Sequence, residues 1–160
     1  MPNVVQQHNV PAAIASVSGF DRPDYVDLFT IPTDGAAGRS PEEWTRAAVD
    51  AADLGGQFVW RVLCGLRLDV RPSPDRVGGW TIAGRGDRWI RAEASSWFMT
   101  AHLVLYVEDG RLSVATFVRY ERPIAAVIWG RLLSAGHRSL MPGLLGATVG
   151  RMRRAANGRS

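Results

Sequence analysis

The hydrophobic residues of this chain change period as it proceeds, and each change predicts a new element. "YVDLFTIP" (Tyr25 to Pro32) alternates, with Tyr25, Asp27 and Phe29 on one side and Val26, Leu28 and Thr30 on the other. A period of two is the signature of a strand. "TDGAAGRS" has the composition of a loop. "SPEEWTRAAVDAADLGG" then switches to a helical period. Ser40 fits the N-cap, Pro41 the first helical position, and Glu43 completes a capping box three residues on. Trp44, Ala47, Ala48 and Ala51 give this helix an apolar face, and it is expected to run to about Asp53 and stop at Gly55-Gly56. A second short helix, "QFVWRVLCGL", follows before "RPSPD" breaks the chain.

A continuous β region comes next. "RVGGWTIAG" and "RWIRAEASS" flank the turn "GRGD", and "WFMTAHLVLYVE" and "RLSVATFVRY" flank Asp109-Gly110. Asp-Gly between two alternating runs is a strong hairpin signal. With these two as the loop, Glu108 faces Arg111 and Val107 faces Leu112, and the register fixes two faces. One carries Trp97, Met99, Ala101, Leu103, Leu105 and Val107 with Leu112, Val114, Thr116, Val118 and Tyr120. It is nearly all apolar and is expected to face the core. The other carries Phe98, Thr100, His102, Val104 and Tyr106 with Ser113, Ala115, Phe117 and Arg119. That mixed face is expected to meet solvent or a second subunit.

After Pro123 the chain returns to a helical period through Val127, Ile128, Leu132, Leu133, Leu140, Met141, Leu144 and Leu145, with interruptions expected at Gly136 and Pro142-Gly143. On such a helix His137 shares a face with Leu133, Met141 and Leu144. Gly143, Gly146 and Gly150 read as close helix packing. An antiparallel sheet with one apolar face must bury that face, and this helix is the only element long enough to cover it. The expected class is therefore α+β: an antiparallel sheet against a long C-terminal helix, with two short helices after the first strand.

Composition narrows the class without naming a function. At 160 residues, 46% hydrophobic and 21% charged, the chain reads as one soluble domain, residues 21–155, between an N-terminal arm (1–20) and a short tail (156–160). All 19 basic residues are arginine and the net charge is +4, but the arginines are dispersed, and only Arg151, Arg153, Arg154 and Arg159 cluster, after a helix. Nucleic acid is not an expected partner. The single cysteine, Cys64, sits among apolar residues and reads as a buried small side chain. Three distant histidines and one cysteine make no metal constellation. No signal peptide pattern opens the chain, and no apolar run is long enough to span a bilayer, so the expected location is cytoplasmic without stable membrane insertion.

The order of elements resembles the helix-grip fold of the START-like superfamily, also called SRPBCC, in which a curved antiparallel sheet wraps around a long C-terminal helix. More narrowly, "CGLRL" (Cys64 to Leu68), "GWTI" (Gly79 to Ile82), Trp129, His137-Arg138 and Met141-Pro142-Gly143-Leu144-Leu145 resemble the marks of a mostly actinobacterial, uncharacterised family of that superfamily. The resemblance covers about Tyr25 to Met152. It implies an apolar cavity between sheet and helix for a polyketide-, aromatic- or lipid-like molecule. It implies no cofactor and carries no catalytic residues over.

The residues expected to line such a cavity are Trp80, Trp97, Met99, Leu103, Val118 and Tyr120 from the sheet, and Trp129, Leu133, Met141 and Leu144 from the helix. Each also reads as ordinary core filling. His137 has two readings, a general base acting on an enolisable ligand or a brace for backbone groups freed near Gly136 and Pro142. Arg119 is the second candidate catalytic group, as a cation that stabilises an enolate or carboxylate if its face lines the cavity. His102 reads as an outward-facing residue or as part of a polar cluster with Thr100 and Arg119. Three functions follow: a cofactor-independent cyclase or dehydratase, a carrier or sensor without turnover, and a structural module with a filled core that forms a homodimer.

Overall fold

The computed structural model describes residues 3–7, 9–52 and 54–159. Seven strands form one antiparallel sheet in the order β1-β2-β7-β6-β5-β4-β3. They are β1 (Val5–Gln7), β2 (Tyr25–Pro32), β3 (Arg76–Val77), β4 (Trp80–Arg85), β5 (Trp89–Ser95), β6 (Met99–Glu108) and β7 (Arg111–Tyr120). The β6–β7 hairpin has the expected register, Glu108 opposite Arg111 and Val107 opposite Leu112. Gly110 turns it with a left-handed φ of 78°. Strand β2 lies one place in from the edge and pairs with β7, Asp27 opposite Thr116.

The helices are α1 (Ala12–Ala15), α2 (Pro41–Ala51), α3 (Leu54–Phe58), α4 (Ile124–Val127) and α5 (Ser134–Asn157). The capping box of α2 is formed: the Glu43 N–H donates to Ser40 Oγ, and the Ser40 N–H donates to Glu43 Oε2. The expected end at Asp53 lies outside the described residues. A π-helical stretch, Val59–Leu63, continues α3, and another, Ile128–Leu133, joins α4 to α5. The last helix therefore runs unbroken over 124–157. The interruptions expected at Gly136 and Pro142 do not occur, because packing on the sheet holds the helix past its one missing N–H.

Two further expectations are corrected. "RVGGWTI" is not one strand: Gly78 and Gly79, both left-handed at φ 56° and 87°, turn β3 into β4. Two consecutive positive-φ residues make the tight primed hairpin turn that Gly-Gly favours. The alternation through Trp97 and Phe98 is also reversed. Ser96 Oγ accepts from the Phe98 and Met99 N–H groups, so β6 begins only at Met99. Phe98 enters the core and Trp97 is 56% exposed.

Both faces of the sheet are covered. The apolar face packs with α2, α5 and the π-helical stretches in the main core, which includes Phe29, Met99, Leu105, Val118, Trp129, Met141 and Leu145. The mixed face carries a second core of Ile14, Leu28, Val104, Ala115 and Phe117, with Val10, Val17 and Phe20 against it. Residues 10–20, read from sequence as an arm, lie here as a strap. Phe117 is thus buried beneath the chain's own N-terminal segment and is not an open subunit face. Gly143 and Gly146 have no atoms close to where a Cβ would stand, so they do not mark close packing within the chain.

Candidate functional site

Strand alternation places Tyr25, Asp27 and Phe29 on the face that the last helix covers. His137 comes down on them from α5, as its helical spacing with Leu133, Met141 and Leu144 predicts. His137 Nε2 lies 3.0 Å from Asp27 Oδ2 and 3.1 Å from Thr116 Oγ1. The Tyr25 hydroxyl donates to the same Asp27 oxygen at 2.7 Å and accepts from Arg138 at 3.3 Å. The Asp27 side chain is 1% exposed and that of His137 is 13% exposed. Burial, and then the neighbouring Asp27 carboxylate, push the Tyr25 hydroxyl above its usual range. Tyr25 therefore stays protonated and acts as a donor.

Aromatic rings enclose the polar group. The Trp129 ring lies 5.3 Å from the His137 ring and 5.4 Å from that of Tyr25, and the Phe29 ring stands edge-on to His137 at 6.4 Å. The π-helical stretch bears on this geometry. Eight residues of regular α-helix would set Trp129 and His137 about 80° apart around the axis. A wider turn between them brings them closer to one line, the use of π turns often seen at functional sites.

A carboxylate can only accept hydrogen bonds, so His137 Nε2 carries the hydrogen shared with Asp27. In the neutral imidazole the lone pair is then on Nδ1, which is how an oriented general base is held. Two buried polar atoms here, Asp27 Oδ1 and Trp129 Nε1, have no hydrogen-bond partner among the described residues. Leaving one such atom unsatisfied costs about 1–3 kcal/mol. One is an acceptor and the other a donor.

The structure sorts the expected site residues. Met99, Val118, Trp129 and Met141 lie in the main core, with Leu103, Tyr120, Leu133 and Leu144 packed against it. Trp80 shares that core but stands edge-on to Trp60. Trp97 is excluded by its exposure. Arg119 does not join His137. It lies on the opposite face of the sheet, where it pairs with Glu121 and sits over the Phe20 ring. His137 does not brace the helix backbone through Nε2, which faces the sheet. Asp27 was missed, although one signal was available: it interrupts the aromatic side of an alternating strand.

His102 is buried rather than outward-facing. Its Nδ1 bonds the Ser18 carbonyl at 2.7 Å, and its ring stacks on Phe20 at 3.8 Å. Glu93 lies 3.6 Å from Nε2. Burial holds this imidazole below its ordinary pKa, against the opposing pull of Ser18 and Glu93. Two surface clefts lie away from the His137 group. One, of about 860 Å³, is lined by Arg46, Arg61, Arg71 and Arg76 among others; the second, of about 810 Å³, runs beneath the strap. No group of three or more histidine, cysteine or carboxylate side chains among the described residues could hold a metal ion, and no described helix is long and apolar enough to cross a membrane. No protein-family model, curated protein or solved structure matches the chain.

Proposed function

We propose that the chain is a START-like helix-grip domain that holds a hydrophobic small molecule between its sheet and its C-terminal helix, with Asp27, His137 and Trp129 as the polar end of the site. One observation carries this reading: a buried carboxylate on a largely apolar sheet face, bonded to the helix histidine while its second oxygen has no partner among the described residues. A core with no further use for Asp27 would be served better by an apolar residue of similar volume. A polyketide-like or aromatic molecule supplies apolar surface for Met99, Val118 and Leu144, and a hydroxyl or carbonyl for the polar end.

The chemistry this geometry favours is proton abstraction beside a carbonyl, the first step of a cofactor-independent cyclisation or dehydration. His137 Nδ1 takes the proton, Asp27 stabilises the imidazolium through Nε2, and the Trp129 N–H is the donor available to the developing oxyanion. Binding requires the packed helix segment around Trp129 and Leu133 to shift away from the sheet.

The test is native mass spectrometry with analysis of an organic extract, combined with thermal-shift screening against aromatic polyketide-like compounds. A retained or stabilising molecule that Trp129→Phe releases supports the site. An empty protein that no compound stabilises overturns it in favour of a filled core. Turnover lost in His137→Gln with binding kept separates the enzyme from a carrier.

A further inference from the structure

Six large apolar side chains stand exposed on three segments that meet at one end of the sheet. Phe58, Val62 and Leu63 belong to α3 and its π-helical continuation, Trp97 to the β5–β6 turn, and Ile124 and Val127 to α4; each is between 44 and 60% exposed. The segments are joined by short contacts. A Cβ on Gly65, just after Leu63, would stand 3.8 Å from the Phe98 ring and 4.0 Å from Trp97 Nε1. The Arg67 N–H donates to the Ser95 carbonyl, Arg122 Nε donates to the Trp97 carbonyl, and the Glu121 N–H donates to that of Phe98. Trp97 thus sits between the residues that follow α3 and those that precede α4.

Clustered exposed apolar groups of this kind mark a contact surface. The charge around them selects the partner. Arg61, Arg67 and Arg122 are all exposed on the same segments. Glu121, which precedes α4, is engaged by Arg119 and Thr100. An exposed tryptophan and aliphatic groups beside exposed arginines that form no ion pair among the described residues suit the interface of an anionic bilayer, where indole and apolar side chains enter the headgroup boundary and arginine meets lipid phosphate.

From this we infer that the end of the sheet built from α3, the Trp97 turn and α4 docks peripherally on anionic membranes. The docking is independent of the internal site, because none of its residues touches the Asp27–His137 group in the contacts above.

Co-sedimentation of the full chain with vesicles of phosphatidylcholine, alone or mixed with phosphatidylglycerol, tests it. Binding to the mixed vesicles is expected, weakened by added salt. Val62→Asp with Trp97→Ser should abolish it, and Arg61→Glu with Arg67→Glu should weaken it by roughly tenfold or more. All four positions are exposed, so unchanged circular dichroism is expected. Absence of binding to mixed vesicles, or binding that survives both double variants, overturns the inference. Self-association without vesicle binding, abolished by Val62→Asp, also overturns it and gives the surface to a second copy of the chain.

Discussion

His137 Nε2 lies 3.0 Å from Asp27 Oδ2, joining the last helix to the second strand through a buried hydrogen bond. Asp27 also receives the Tyr25 hydroxyl. Removing the carboxylate takes the acceptor from the Tyr25 hydroxyl and leaves His137 Nε2 with Thr116 alone. Asp27→Ala should therefore cost about 2–4 kcal/mol in chemical denaturation. Asp27→Leu removes the same charge but fills the space, and should be less destabilising. If both variants unfold alike, the pair serves stability through its charge and not as a site.

The strap should loosen in weak acid. His102 is buried neutral, with its folded pKa depressed by desolvation. Arg91 and Arg119 oppose its protonation, while Glu93 and the Ser18 carbonyl favour it. A base with a depressed folded pKa contributes stability above its unfolded value, near 6.5. That contribution is lost as pH falls through the lower folded value, because the unfolded chain binds the proton first. Protection of residues 10–20 from hydrogen exchange, relative to the intrinsic rate at each pH, should fall below about pH 6.5. In His102→Phe, which stacks but does not titrate, that fall should disappear.

Gly19 sets the turn of the strap onto His102. Its φ is +79°, and a Cβ there would stand 3.0 Å from His102 Nδ1 and 3.1 Å from Arg91 Cζ. Gly19→Ala should cost about 1–2 kcal/mol from the backbone alone. Thermal melts should show the loss, and proteolysis should cut first within residues 10–20. Unaltered protease resistance would mean that the strap is held elsewhere.

Cys64 should be inert in the folded protein. Burial pushes its thiol up to about 11, and no opposite charge acts to lower it. A thiolate is the reactive form. Ellman's reagent at pH 8 should therefore report no fast-reacting thiol until denaturant is added. Immediate labelling would show that the segment around Leu63 opens in the native state.

Capping of the first long helix can be read from a single change. Ser40→Ala removes the oxygen that receives the Glu43 N–H and should lower stability by about 1 kcal/mol. Ser40→Asp should restore it.

Local chemistry was legible in the sequence wherever neighbours along the chain decide the outcome. The capping box at Ser40 and Glu43, the Asp109-Gly110 hairpin, the register of β6 on β7 and the apolar face of that hairpin all follow from spacing. His137 was assigned to the sheet-facing side of the helix for the same reason, since residues four apart share a face. The aspect hidden from the sequence was what each face would meet. Asp27, Thr116 and His137 lie far apart in the chain, and only the return of β2 beside β7 brings them together. Residues 10–20 have little pattern of their own, yet they bury His102 because the mixed sheet face offers Phe117, Val104 and Leu28 to cover. The π-helical turn at Ile128–Leu133 has no sequence rule either. It brings the Trp129 and His137 rings within 5.3 Å of each other. Short-range order comes from propensity and period, which the sequence displays; the site comes from long-range packing, which no local pattern contains.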